Sequence, residues 1–222
     1  MAELSFYLKS VIFDMDGVIT NTMPDHYHAW RTILQKYDVH VSHFDIYSRE
    51  GQRGIHSVEE IFVQHKKKCT PQIAQKILTE KEEYFKTIVK ERFVIGTRSF
   101  LKELSRNGFI LALVTGTSRH ELHQILPKHL YNLFQVVVTG NDVHHGKPHP
   151  EPYLKALGKL NLKANEAVVI ENAPFGIQSA KSAKLRCLAL ETSLPRKYLF
   201  EADHIFSSIS ELKSKVKLNV KK

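Results

Sequence analysis

Short apolar runs that each stop at a polar, turn-forming cluster, with stretches of helical period between them, limit most strongly what this chain can fold into. Ser10-Val11-Ile12-Phe13 ends abruptly at Asp14-Met15-Asp16-Gly17, a pattern that suits a buried strand turning over a glycine. Comparable runs follow at Ile110–Val114, Gln135–Val138, Ala167–Ile170 and Arg186–Leu190. Helical spacing appears between them, as in Leu122, Ile125 and Leu126 and then Leu154 and Leu157, with turns at Asn107-Gly108 and Thr139-Gly140. This βαβ repetition predicts an α/β fold with a doubly wound parallel sheet. One interval breaks the rhythm. From Val18 to Asn107 no strand is evident, while Trp30, Ile33, Leu34 and Tyr37 fall at i, i+3, i+4 and i+7, and Ile73, Ile77, Tyr84, Phe85 and Ile88 make a second apolar face. A helical insert directly after the first strand lies above the carboxyl ends of the sheet, where open α/β folds bind ligands. The expected division is a core of residues 1–17 and 91–222 and a helical lid of residues 18–90.

The 222 residues are 42% hydrophobic and 25% charged, enough for one sizeable core and a small accessory one. The net charge of +9 raises the question of a polyanionic partner. The lysines are scattered, however, apart from Lys66-Lys67-Lys68, read as a solvated helix face, and Lys213, Lys215, Lys217, Lys221 and Lys222, read as a frayed end. No interleaved aromatics accompany them, so no nucleic acid partner is expected; a positive field still draws a phosphorylated small molecule towards a cleft. No apolar run reaches the roughly 18 residues of a membrane span, and Glu3 precedes a strand-like segment where an exported chain carries a basic, apolar leader. A cytoplasmic monomer without a membrane partner is expected. Cys69 and Cys187 stand far apart in no metal or disulfide pattern.

Asp14 and Asp16 place two carboxylates on one side of the strand mouth, since period two sends both the same way. Like charges at that distance call for a cation between them, and Mg²⁺ prefers one or two carboxylates plus phosphate oxygens. The later strands end in complementary chemistry. Thr115-Gly116-Thr117-Ser118 offers a hydroxyl and free N–H groups before a helix opened by Ser118-x-x-Glu121. In Gly146-Lys147-Pro148-His149-Pro150 the prolines stiffen the loop that presents Lys147, a cation able to neutralise phosphate. Glu171-Asn172 adds oxygen donors for a metal shell.

The D-x-D-G, Thr-Gly, G-K-P and Glu-Asn segments, in this order and at strand ends across essentially the whole chain, resemble the motif set of the haloacid dehalogenase superfamily. The resemblance implies that Asp14 is the nucleophile forming an aspartyl phosphate and that Asp16 protonates the leaving group and then activates water. It implies that Thr115, with Gly116, and Lys147 hold the transferred phosphoryl group. Mg²⁺ is implied at Asp14, the carbonyl of Asp16 and the Glu171-Asn172 end, and the insert is similar to a small helical cap that favours small substrates.

Thr20-Asn21-Thr22 followed by His26 and Ala29-Trp30 resembles the β-phosphoglucomutase pattern, which places Thr22 and His26 near the cap hinge and the acid/base aspartate. Read alone, His26 is a helix-surface histidine, and His144, His145 and His149 are surface residues. Relatives of the family usually carry Glu-Asp where this chain has Glu171-Asn172. The insert also holds Ser48-Arg49-Glu50-Gly51-Gln52-Arg53-Gly54, in the region where family caps read substrate. Glu50 is therefore expected to return the missing charge to the metal when the lid closes, with Arg49 and Arg53 reading the substrate. That combination resembles a branch containing an inorganic pyrophosphatase. The resulting expectation is a Mg²⁺-dependent hydrolase of a small phosphorylated metabolite or pyrophosphate; the alternatives are a β-phosphoglucomutase-like mutase and a degenerate phosphometabolite-binding protein.

Overall fold

The computed structural model describes residues 4–221. In chain order the elements are β1 (Leu4–Leu8), β2 (Ser10–Phe13), α1 (Met23–Gln35), α2 (His43–Tyr47), α3 (Gly54–Gln64), α4 (Pro71–Ile88), α5 (Thr97–Arg106), β3 (Ile110–Val114), α6 (Arg119–Ile125), α7 (Lys128–Tyr131), β4 (Val136–Val138), α8 (Glu151–Leu160), β5 (Ala167–Glu171), α9 (Pro174–Ser182), β6 (Arg186–Leu190), β7 (His204–Phe206), α10 (Ile209–Lys215) and β8 (Val216–Val220).

Strands β4-β3-β2-β5-β6-β7 form one parallel sheet in that order. Period two divides each central strand between two cores. Val11 and Phe13 of β2, Leu111 and Leu113 of β3, and Val168 and Ile170 of β5 enter one cluster. Ile12, Ala112, Val114, Ala167 and Val169 enter the other, on the opposite face. Burial on both faces explains why these runs read as unbroken apolar sequence. The register then fixes the site: Phe13 pairs with Leu113 on one side and Ile170 on the other, so Asp14, Thr115 and Glu171 emerge along one edge. The chain runs outward from β2 through β3 to β4 and, on the other side, from β5 through β6 to β7, so the gap between β2 and β5 is the switch point where doubly wound sheets bind ligands.

The insert forms helices α1–α4 around a core of its own, with Trp30, Ile33, Leu34, Val58, Ile61, Phe62 and Ile77 buried together. Proline stands in the first turn of both α1 and α4, and Thr70 caps α4 by accepting from the Ile73 N–H. The two connections to the sheet run antiparallel, side by side, with Thr20 paired to Phe93. Asn21 N–H donates to Arg92 C=O at 2.9 Å, Val94 N–H to Ile19 C=O at 3.0 Å, and Arg92 pairs with Asp25 at 2.6 Å. These bonds tie the two ends of the insert together where it joins the sheet.

Two surface readings are corrected. Lys213, Lys215, Lys217 and Lys221 do not mark a frayed end, and Lys222 lies outside the described residues: Val216–Val220 pairs in parallel with β1, from Leu4↔Val216 to Leu8↔Val220, Lys221 N–H donates to Leu8 C=O at 2.8 Å, and Lys213 and Lys215 meet Glu103 and Glu211 on the way. Alternate apolar residues in that tail are masked to the eye by its lysines. Lys66–Lys68 lies on the turn after α3 and not on a helix face, with Lys67 Nζ donating 2.9 Å bonds to Tyr37 C=O and Asp38. None of the described helices is long and apolar enough to cross a membrane.

Candidate active site

Asp14 is the first residue beyond β2, held there by its N–H bond to Ile170 C=O at 3.0 Å, and only 2% of it is exposed. Lys147 reaches it from the proline-stiffened loop, donating to Asp14 Oδ1 at 2.5 Å, Glu171 Oε1 at 2.6 Å and Val114 C=O at 3.2 Å. A lysine so enclosed stays charged because two carboxylates outweigh desolvation, which holds its pKa above the usual lysine range. Asp14 moves the other way. Burial raises its pKa well above the usual value against the pull of Lys147, and Glu171 and Asp16 add repulsion.

Asp16 sits among donors. Its Oδ1 accepts a very short bond from the Thr22 hydroxyl and a 3.4 Å bond from Thr20, and its Oδ2 accepts from Thr117 at 2.9 Å. His26 Nε2 lies 3.5 Å from Oδ1, an ion-pair distance. Burial opposes ionisation, but His26, Thr22 and Thr117 together outweigh it and bring Asp16 down to about 2. His26 is thus buried and not on the helix surface, its ring stacked on Phe85 at 4.1 Å.

Thr115 continues β3 through its N–H bond to Val138 C=O, and its hydroxyl accepts from the Thr117 N–H at 3.0 Å. Of the predicted capping box only one half forms, Ser118 Oγ accepting from the Glu121 N–H. Glu171 has both oxygens occupied. Oε1 receives Lys147 and the Tyr153 hydroxyl, while Oε2 receives the N–H groups of Asn172 and Ala173. In this arrangement Glu171 holds Lys147 in place.

The loop after α2 closes the site from above. Gly51, at φ +78°, rests on Lys147, and a Cβ placed on Gly116 would lie 2.4 Å from the Gly51 carbonyl oxygen. Glu50 is buried, and Asn172 Nδ2 donates to its Oε2 at 2.8 Å and to Ser193 Oγ at 2.7 Å. Burial raises the Glu50 pKa well above the usual range, with Asp14 and Asp16 repelling it further. Asp14 Oδ2, Glu50 Oε1 and Asn172 Oδ1 are buried oxygens without any hydrogen-bond partner. The arginines of the same loop line the cavity and are anchored by bonds of their own. Arg49 donates to Asp45 C=O at 2.7 Å and faces Glu60 at 3.4 Å, and Arg53 donates to His144 C=O at 2.8 Å, a bond from lid to core. Below the lid lies a cavity of about 510 Å³ whose wall includes Asp16, His26, Trp30, Arg49, Gln75, Lys81, Glu121 and Asn141.

The profile of the haloacid dehalogenase-like hydrolases matches residues 11–190. The chain belongs to this family. A phosphorylated carbohydrates phosphatase of Thermotoga maritima is 33% identical over 79% of this chain and 82% of its own length. A pyrophosphatase of Bacillus mycoides is 26% identical over 92% of this chain and 95% of its own length. Among solved structures, a candidate β-phosphoglucomutase from Bacteroides vulgatus superposes with a TM-score of 0.85 at 33% identity, covering 95% of this chain and 88% of that one. As a haloacid dehalogenase-like hydrolase the chain is a phosphoryl-transfer enzyme, of phosphatase or phosphomutase type.

Several residues of this hydrolase site escaped the sequence motifs. Thr117 lies one step beyond the expected Thr115-Gly116 yet carries the bond to Asp16. Tyr153 enters from α8 to bond Glu171, and Ser193 enters from beyond β6 to bond Asn172. Lys81 of α4 is buried 3.7 Å from Glu121 of α6 and lies 5.4 Å from the Trp30 ring and 4.7 Å from that of Phe85. A lysine inside an apolar helical face was the available signal for Lys81; the others had none.

Proposed function

We propose that this chain hydrolyses a small phosphorylated metabolite with an organic leaving group, through an aspartyl phosphate on Asp14 and with Mg²⁺. The carrying observation is the state of Asp14: one oxygen is fixed by Lys147 and the other is buried without a partner, while Asp16, two residues on, lines a cavity of about 510 Å³. That volume is of the order used for small organic ligands, and Trp30 with Gln52, Gln75 and Asn141 offers an aromatic wall and amides for a hydroxylated leaving group. Pyrophosphate fills far less of it.

The residues present fit a hard cation. The partnerless oxygens of Asp14, Asn172 and Glu50 are donors of the kind Mg²⁺ takes, and the neutral Asn172 is compensated by the lid carboxylate. Mg²⁺ at these residues and the Asp16 carbonyl supplies charge neutralisation at the phosphate oxygens. Asp14 attacks phosphorus while Lys147 and Thr115 hold the equatorial oxygens. Asp16 gives a proton to the leaving oxygen and later takes one from water. A value of about 2 leaves Asp16 ionised, the form that takes a proton from water in the second step. For the first, the anionic phosphate beside Asp16 raises that value by repulsion. Closure of Gly51 over Lys147 and Gly116 excludes bulk water from the transfer.

Glu50 against Asn172 keeps pyrophosphate as a second reading. Release of inorganic phosphate from sugar phosphates, phosphoglycolate, nucleotides and pyrophosphate, with and without Mg²⁺, decides between them. Turnover of an ester above pyrophosphate is expected; release from pyrophosphate alone overturns the ester reading, and none from any substrate overturns both.

A further inference from the structure

The loop that carries Lys147 has a second set of donors on its outer side. His145 and His149 bracket Lys147, two residues to either side, with Pro148 and Pro150 fixing the direction of the chain between and after them. Ligand atoms of His145, His149 and Glu151 all lie within 4.8 Å of one another. The two rings stand 4.7 Å apart, centroid to centroid. Glu151 is set by the backbone: its Oε1 accepts the His144 N–H at 2.7 Å and its Oε2 the His145 N–H at 2.8 Å, with His145 Nδ1 at 3.1 Å from the same Oε2. The Glu151 N–H meets His149 Nδ1 at 3.2 Å. The carboxylate is therefore already positioned, and both imidazoles are exposed.

We infer that His145, His149 and Glu151 form a binding site for a divalent transition-metal ion, separate from the Mg²⁺ position at Asp14. Two imidazoles and one carboxylate are donors that Zn²⁺ accepts in a tetrahedral shell, leaving its fourth position to water, whereas Mg²⁺ has little use for imidazole. None of the oxygens assigned to Mg²⁺ belongs to this cluster. Across from it, a second cavity of about 510 Å³ runs between core and lid, and His56, Glu59 and Glu60 of α3 line it opposite His145 and His149. The acidic lid wall favours a cation there. Because the ligands flank Lys147, an ion bound to them stiffens the segment that presents the catalytic ammonium group. The site thus offers a means for a soft-ligand metal to act on a Mg²⁺ enzyme without entering its catalytic centre.

The test is calorimetric titration of the full chain with Zn²⁺ in excess Mg²⁺, which keeps the carboxylate site at Asp14 occupied. Wild type should take up one equivalent of Zn²⁺. His149→Ala and His145→Ala should each weaken that uptake by about 100-fold or more, beyond the roughly 10- to 100-fold that loss of an outer-sphere partner costs. His129→Ala, an exposed histidine of α7 outside the cluster, should leave it unaltered. Far-ultraviolet dichroism of the variants checks that these surface changes leave the fold intact. No uptake of Zn²⁺ by wild type in Mg²⁺, or uptake that survives both His149→Ala and His145→Ala, overturns the site.

Discussion

Asp16 differs from Asp14 by two positions and by almost everything in its surroundings, as the proposed roles of nucleophile and acid/base require. Asp14 is desolvated and faces Lys147, while Asp16 is wrapped by Thr20, Thr22, Thr117 and His26. Asp14→Asn should abolish turnover with the fold intact, since the shape stays and the nucleophilic oxygen goes. Steady-state assays retaining even a tenth of wild-type rate would rule out the covalent route. Thr117→Val removes one donor to Asp16 and should raise its depressed pKa. The sign follows from linkage. An ionised base with a folded value of about 2 is available throughout the neutral range, and its acid limb moves up in pH as donors are removed. A pH–rate profile of Thr117→Val whose acid limb coincides with wild type would remove Thr117 from that role.

At the scale of elements, the contact of the lid loop with the β3 turn decides whether the site can shut. A methyl on Gly116 collides with the backbone of Gly51, which has no flexible side chain to yield. Gly116→Ala should therefore hold the lid off the core and lower kcat/KM by roughly 10- to 100-fold, the scale of a misplacement of about 1 Å. Unaltered kinetics would mean that the loop closes by some other path. The helices α1–α4 have a cluster of their own, so their stability can be tested apart from the sheet. Ile77→Ala, fully buried there, should cost about 2–5 kcal/mol. Amide exchange should quicken in α1–α4 while β2, β3 and β5 stay protected.

For the whole molecule, the proposed Mg²⁺ position draws on residues far apart in sequence: Asp14 and Asn172 stand at the sheet edge and Glu50 on the loop after α2. Glu50→Ala should raise the Mg²⁺ concentration for half-maximal rate, and Asn172→Asp should partly rescue it by returning a carboxylate to the sheet edge. The four members of that cycle should be non-additive in Mg²⁺ dependence. Strict additivity would leave Glu50 as an ordinary lid residue. Burial raises both Asp14 and Glu50, so a cation that holds them ionised displaces protons. Mg²⁺ binding at a pH below the raised pKa of these carboxylates should release protons, fewer of them in Glu50→Ala, as titration in buffers of different ionisation enthalpy will show.

The sequence by itself determined the sheet and the polar residues that gather along one of its edges. Runs such as Val11–Phe13 and Val168–Ile170 are apolar without interruption because both faces of a parallel sheet are covered, and the polar residue that ends each run has only the edge to occupy. Asp14, Thr115, Glu171 and Asn172 were legible for that reason, Asp16 from its place beside Asp14 and Lys147 from its Gly-Lys-Pro loop. The tertiary structure decided what those residues touch. Whether Glu171 faces Lys147, whether Arg49 turns to Asp45, whether His26 is buried on Phe85 and whether β8 pairs with β1 all depend on partners far away in sequence. Hydrogen bonds and ion pairs of this kind carry no local period. Only the closing of chain on chain, which desolvates one carboxylate and surrounds its neighbour with donors, gives two aspartates of one motif their different chemistry.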